Sequence, residues 1–313
     1  MAEPENEQLV NYLVVLEHSD RLFTTEPDNH WGGLLTPSSD ERSAKTDRGL
    51  RLALFGSWKF GYVVLETLKK IESMFPERLN LVGMVTDNPL NPDAKISKKK
   101  RIWNLLDLPI QVVDETCMIE SGLGFGIPVY TGEIKIDSFR KLLTQWKPDV
   151  ILVCVFGQII DSFAINYPSR GIYNFHPSDL ANHHGSGPSP YQDLKDRNAD
   201  TGMWSVHKVI EELDAGPVVA QSPPVCVKDE TGKLPENPLI VYDKLMEALS
   251  PFVYHFVLDL LRHFEENHSG QVDRIDLISA FSPELRSKLM KPVTRVEDDP
   301  QLPDPDSDLF YFI

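Results

Sequence analysis

Cysteine is scarce. Cys117, Cys154 and Cys226 are the only three in 313 residues, and their spacing fits neither a disulfide framework nor a thiolate metal cluster. Long apolar runs are missing too: the longest uninterrupted stretch, Val150 to Phe156, is far too short to cross a bilayer. No basic stretch leading into an apolar one opens the chain. Glu3, Glu5 and Glu7 stand there instead, which argues against a secretory signal. Positive charge is the other shortage. Lys and Arg total 31 against 47 Asp and Glu, a formal net charge of −16. Such a chain is repelled by phosphate backbones, so broad nucleic-acid binding is disfavoured. What remains is ordinary globular usage, 41% hydrophobic and 25% charged, enough for a sizeable core. The expectation is a soluble cytoplasmic protein of one large domain or two ordinary ones.

Composition shifts twice along the chain. Residues 1–50 carry ten acidic and four basic side chains, with one short apolar piece, Leu9 to Leu16. They read as an appended N-terminal segment with at most one small helix or strand. From about Arg295 the chain becomes acidic and proline-rich, too polar to pack, and then closes on the apolar tip Leu309 to Ile313. The expected division is 1–50 as extension, 51–228 as a catalytic α/β domain, and 229–313 as a helical C-terminal region with an acidic tail.

Between the ends, strand and helix patterns alternate. "RLALFG" from Arg51 to Gly56 is a β-type run, and "KFGYVVLETLKKI" after it has helical spacing. "LNLVGMVTD" reads as the second strand, and a loop with the basic cluster Lys98 to Arg101 follows. "IDSFRKLLTQW" predicts a helix leading into "VILVCVFG", whose continuous apolarity fits a parallel strand buried on both faces. "GIYNFHP" is a further strand. This repetition predicts a doubly wound, Rossmann-like, mostly parallel sheet. After Asp229, apolar residues at Val241, Leu245, Leu249, Phe252, Phe256, Leu260 and Phe264 predict a long helix or a helix pair, interrupted near Pro251.

The chemistry gathers between Asn174 and Asp214. Asn174 and His176 alternate in a strand and so project to one face, and Asp214 precedes a glycine and a proline in a turn. An amide donor, an imidazole and a carboxylate suit acyl transfer: the amide stabilises an oxyanion, the imidazole moves or donates a proton, the carboxylate orients the ring. Two rivals are weaker. His176, His183, His184 and Asp214 include ligand types that suit zinc or iron, yet no helical H-x-x-x-H pair occurs. A serine hydrolase would need G-x-S-x-G, which is absent. The first strand-to-helix turn, "FGSWKFG", is neither G-x-G-x-x-G nor a Walker loop, although its backbone has the makings of an anion nest.

"NFHPSDL", "GSGPSPYQ" and "ADTGMWSVHKVIEELDAGPVVAQ" resemble the formyltransferase domain that uses 10-formyltetrahydrofolate. The resemblance covers about residues 51 to 228. Its signature is Asn-x-His followed by Asp in a D-x-G turn, together with Thr201, Gly202 and His207 in T-G-x-x-x-x-H. "FGSWKFG", "VFGQII" and "VYDKLMEAL" look most like the methionyl-tRNA and sugar-nucleotide branches. The resemblance implies the formyltransferase fold, 10-formyltetrahydrofolate as co-substrate, and no metal. It makes Asn174, His176 and Asp214 the catalytic set. Phe156, Gly157, Gln158, Ile159 and Ile160 would lie along the pterin, and Ile210, Glu211, Glu212 and Leu213 would offer it backbone partners. The sequence departs from the family on the acceptor side. Asp179-Leu180-Ala181 stands where members often show Leu-Leu-Pro, and His184-Gly185 where they show Arg-Gly. With no basic C-terminal nucleic-acid domain, the expected acceptor is a small amine such as an amino-sugar nucleotide. Methionyl-tRNA formylation or formyltetrahydrofolate hydrolysis are the alternatives. No membrane partner is implied, and self-association into a homo-oligomer stays open.

Overall fold

The structure, a computed structural model, describes residues 22–24, 33–38, 40, 48–86, 117–187, 190–266 and 270–294. Leu9 to Leu16, the Lys98 to Arg101 cluster and the tail from Arg295 lie outside the described residues. The chain divides into two compact units, Met1–Ile172 and Tyr173–Ile313.

In the first unit, β3 (Leu50–Gly56), β4 (Leu79–Val85) and β6 (Val150–Cys154) fall on the three runs expected from apolarity. With β5 (Val129–Tyr130) they line up as β5-β4-β3-β6, each neighbour parallel to the next. All five residues of β6 are buried, as continuous apolarity requires of a strand covered on both faces. Helix α1 (Trp58–Met74) returns the chain from β3 to β4, and α2 (Asp137–Trp146) returns it to β6. The order matters. The chain leaves β3 towards β4 and β5, then comes back to β6 on the other side of β3. That reversal is the doubly wound arrangement, and ligands in such sheets bind beyond the strand ends where it occurs. Arg51 fixes α2 against β3: its guanidinium donates to the carbonyls of Trp146, at 2.7 Å, and Lys147, which satisfies the helix's last orphan acceptors.

The N-terminal segment is not wholly appended. β2 (Gly33–Leu35) pairs antiparallel with β5, and β1 (Leu22–Thr24) pairs with β2. Two short strands therefore extend the sheet of the first unit.

The second unit opens with β7 (Ile172–His176), whose first residue belongs to the other unit. β7, β9 (Ser205–Lys208) and β10 (Val218–Gln221) are antiparallel neighbours, and β8 (Thr201–Gly202) pairs with β11 (Val225–Cys226). The short helix α3 (Ser162–Asn166) still belongs to the first unit; α4 (Pro190–Asp196) follows β7 in the second, and α6 (Pro283–Leu289) comes last among the described residues. The long helix α5 (Pro238–Glu265) runs through Pro251 without a break, contrary to the expected interruption. A proline inside a helix costs about 3 kcal/mol. Against that, Phe252, Val253 and Phe256 around it are fully buried, each contributing roughly 1.5–3 kcal/mol. Phe252 and Phe256 meet Phe175 of β7 edge-on at 5.7 and 5.6 Å. Packing outweighs the missing amide, so the helix continues.

Candidate active site

β7 places Asn174 and His176 on one face, and β9 supplies what stands opposite. The register pairs Asn174 with His207 and His176 with Ser205. Asp214 arrives from the excursion between β9 and β10, closed at its base where the Lys208 amide donates to the Pro217 carbonyl at 3.0 Å. Asp214 takes φ +53°, a left-handed conformation that aspartate tolerates better than most residues. Gly216, two residues on, lies so close to Lys208 that a Cβ there would meet its carbonyl oxygen. This is the physical content of the D-x-G turn: only glycine lets the loop fold this tightly onto β9.

The three expected residues meet. Asp214 Oδ2 is 3.3 Å from His176 Nε2, and the Asn174 amide reaches Asp214 Oδ1 at 3.5 Å. A fourth group joins them. His207 Nε2 is 3.0 Å from the Asn174 amide nitrogen and 3.5 Å from Asp214 Oδ1. The Gly187 amide donates to Asp214 Oδ2 at 2.9 Å. Burial by itself would raise the Asp214 carboxyl. The His176 hydrogen bond, the His176 charge and the Gly187 amide outweigh it and hold the carboxyl well below the usual carboxylate range. His207 was visible in the sequence only as the end of T-G-x-x-x-x-H; its place in the site comes from the cross-strand register.

The residues expected along the pterin stand within their own units. In the first unit, Phe156 packs on Phe55 at 5.3 Å. Gln158 turns its amide away from the loop surface: Nε2 donates to the Gly132 carbonyl and Oε1 accepts from the Ile134 amide, both at 3.0 Å. Gly157 is half-buried, Ile159 is 51% exposed and Ile160 is buried. Asp161 then caps α3 and pairs with Arg140 of α2 at 2.9 Å, so the segment is held at both ends. The Ser57 amide donates to the Cys154 carbonyl at 3.3 Å beside the β3–β6 reversal. In the second unit, Ile210, Glu211, Glu212 and Leu213 are all exposed, Leu213 at 69%.

Among the described residues no group of three His, Cys, Asp or Glu side chains is placed to hold a metal ion. His176 and Asp214 come together while His183 and His184 do not complete a set with them. All three cysteines are free, and burial pushes the Cys154 thiol up, away from nucleophilic use.

A doubly wound parallel sheet with an amide, two imidazoles and a buried carboxylate held together defines a class: α/β enzymes equipped for acyl-group transfer. The comparisons narrow it. Residues 130–238 match the family model described as formyl transferase. A methionyl-tRNA formyltransferase of Thermotoga maritima is 27% identical over 244 residues, 76% of this chain and 70% of that protein. Another, of Listeria innocua, is 31% identical over 213 residues, 67% of this chain and 58% of that protein. The crystal structure of phosphoribosylglycinamide formyltransferase from Anaplasma phagocytophilum aligns with TM-score 0.51 and 18% identity, covering 69% of this chain and 88% of that one. That likeness is one of fold. Residues 130–238 thus carry a formyl transferase domain, and the protein is a formyl-transferring enzyme.

Proposed function

We propose that this protein transfers the formyl group of 10-formyltetrahydrofolate to a primary amine in the cytoplasm. The observation that supports it is the meeting of Asn174, His176 and Asp214. The amine nitrogen attacks the formyl carbon, and the carbonyl oxygen becomes an oxyanion. Asn174 donates to that oxygen, and the charge on protonated His176 stabilises it. Collapse of the intermediate breaks the bond from carbon to N10. The proton lost by the amine is relayed to N10, so formamide and tetrahydrofolate leave in balance. Because Asp214 is held in its charged form, its part is chiefly to orient His176 and stabilise the imidazolium, with water completing the relay. Phe156 to Ile160 and Ile210 to Leu213 are assigned to the folate on the family resemblance.

Two acceptors compete, each with one observation behind it. The net charge of −16 favours a small amine, such as an amino-sugar nucleotide, over a long polyanion. The names of the relatives favour methionyl-tRNA. Formylation of charged initiator tRNA and of amino-sugar nucleotides, compared at two salt concentrations, decides between them. Efficient tRNA formylation with a steep salt dependence rejects the small acceptor. Free formate as sole product would make the enzyme a hydrolase, and no turnover at all would defeat the proposal.

A further inference from the structure

The catalytic imidazole has two nitrogens, and the proposed chemistry accounts for one. Nε2 of His176 faces Asp214, an acceptor-only group, so Nε2 carries a proton in both the neutral and the charged ring. Nδ1 is the nitrogen whose proton comes and goes. It lies 2.7 Å from Ser178 Oγ. A serine hydroxyl both donates and accepts: it donates to Nδ1 in the neutral ring and accepts from Nδ1–H in the charged one. An amide or a carboxylate in its place would favour one state.

We propose that Ser178 is a positioning residue that holds Nδ1 of His176 and so keeps the ring in one orientation while its charge changes. The site around it is built for that. Ser178 is only 6% exposed, and its amide donates to the His176 carbonyl at 2.9 Å, which folds the turn over Pro177. The Ser178 carbonyl accepts from Ser205 Oγ at 2.7 Å, and Ser205 stands opposite His176 in the β7–β9 register. Ser205 Oγ in turn accepts from the Leu180 amide and from Gln221. Gly185, at φ +63°, closes over the serine: a Cβ there would fall 2.7 Å from the Ser178 Cβ. The hydroxyl therefore has one small, enclosed place to be. The titratable groups facing the ring are Asp214 and, with ring centroids 6.5 Å apart, His207. Asp179 on the same turn is engaged by Gln221 and Asn182.

This rests on the reading of His176 as the group that carries charge in the transition state, and the test separates the two. Ser178→Ala removes the hydroxyl; Ser178→Cys keeps nearly its size with a much weaker hydrogen-bonding group. Full-length protein labelled in its histidine rings is titrated by NMR, with His176→Ala assigning the resonance. The wild-type ring is expected as the neutral Nε2–H tautomer. Both serine variants should broaden the ring's resonances as its single orientation is lost, because nothing polar then holds Nδ1. Turnover of 10-formyltetrahydrofolate, with methionyl-tRNA and with an amino-sugar nucleotide as acceptors, should fall roughly tenfold to a hundredfold in kcat with little change in the folate KM. A purely packing role predicts rescue by cysteine, and that rescue overturns the proposal. So do ring resonances as sharp in Ser178→Ala as in the wild type. Full turnover in His176→Ala would instead overturn the reading of His176 itself.

Discussion

His207 stands directly across from Asn174 in the β7–β9 pair, with its Nε2 3.0 Å from the Asn174 amide nitrogen. Its other nitrogen, Nδ1, is 3.0 Å from the Lys208 carbonyl and so carries a proton. In the neutral ring Nε2 then accepts, which commits one Asn174 amide hydrogen to His207. The other hydrogen rests on a 3.5 Å contact with Asp214, at the outer edge of hydrogen bonding. It is the one an incoming formyl oxygen can take over. His207→Ala leaves the amide free to rotate. Turnover should fall roughly tenfold to a hundredfold, the worth of a buried hydrogen-bond partner, while the folate KM moves by less than about twofold. Steady-state kinetics read both; near-normal kcat would mean the amide is held by something else.

Gly216 gives a second handle, on placement instead of chemistry. A methyl group there would collide with the Lys208 carbonyl oxygen, and backbone cannot yield as a side-chain tip does. Gly216→Ala should push the Asp214 turn off β9. Turnover is expected to fall at least about a hundredfold, in line with the cost of misplacing a catalytic group by an ångström. The turn lies outside the core, so the thermal midpoint should drop by only a few degrees, as for a loss of about 1 kcal/mol. An active Gly216→Ala protein would show that the turn tolerates a shift.

Gln158 tests the folate side. Its amide holds the Gly132 carbonyl and the Ile134 amide, so Gln158→Ala unpins the segment assigned to the pterin while leaving Asn174, His176 and Asp214 in the other unit untouched. The folate KM should rise several-fold to tenfold, the loss of roughly 1 kcal/mol per bond, with kcat changed less. A fall in kcat at constant KM would place Gln158 in a different role.

Some of this was legible in the chain. The continuous apolar run from Val150 predicted a strand buried on both faces, and alternation put Asn174 and His176 on one face of β7. Both are local periodicities. The rest depends on pairings between distant residues. His207 enters the site because β9 pairs with β7 in one particular register, which no window of sequence contains. Gln158 was expected along the pterin from the family resemblance alone; its side chain serves the Gly132–Ile134 backbone, and only the placement of β5 reveals that. β2 joins the sheet by pairing with β5 some ninety residues on, so an acidic segment that looked appended is partly sheet. Pro251 misled for the opposite reason. The local rule against proline in helices is sound, but the burial of its neighbours outweighs it.

The charge on Asp214 makes a prediction about pH. Its partners hold its carboxyl well below the ordinary range in the folded protein, whereas in the unfolded chain it titrates near the usual aspartate value of about 4. Between those two points the unfolded chain binds the extra proton. The stability that Asp214 contributes is therefore fully present above about pH 4 and is lost as pH falls towards the folded value. Asp214→Asn cannot titrate. Wild type should lose more stability than the variant between neutral pH and about pH 3, read as the shift in urea midpoint at each pH. Parallel losses would mean that the carboxylate's partners do not favour its charged form. The same reasoning bears on turnover: an acid limb anywhere above about pH 5 belongs to a group other than Asp214, since that carboxyl stays ionised throughout the range. An Asp214→Glu variant that keeps the charge should retain the position of that limb even where its rate is lower, and a limb that moved with the carboxylate would assign the titration to Asp214 after all.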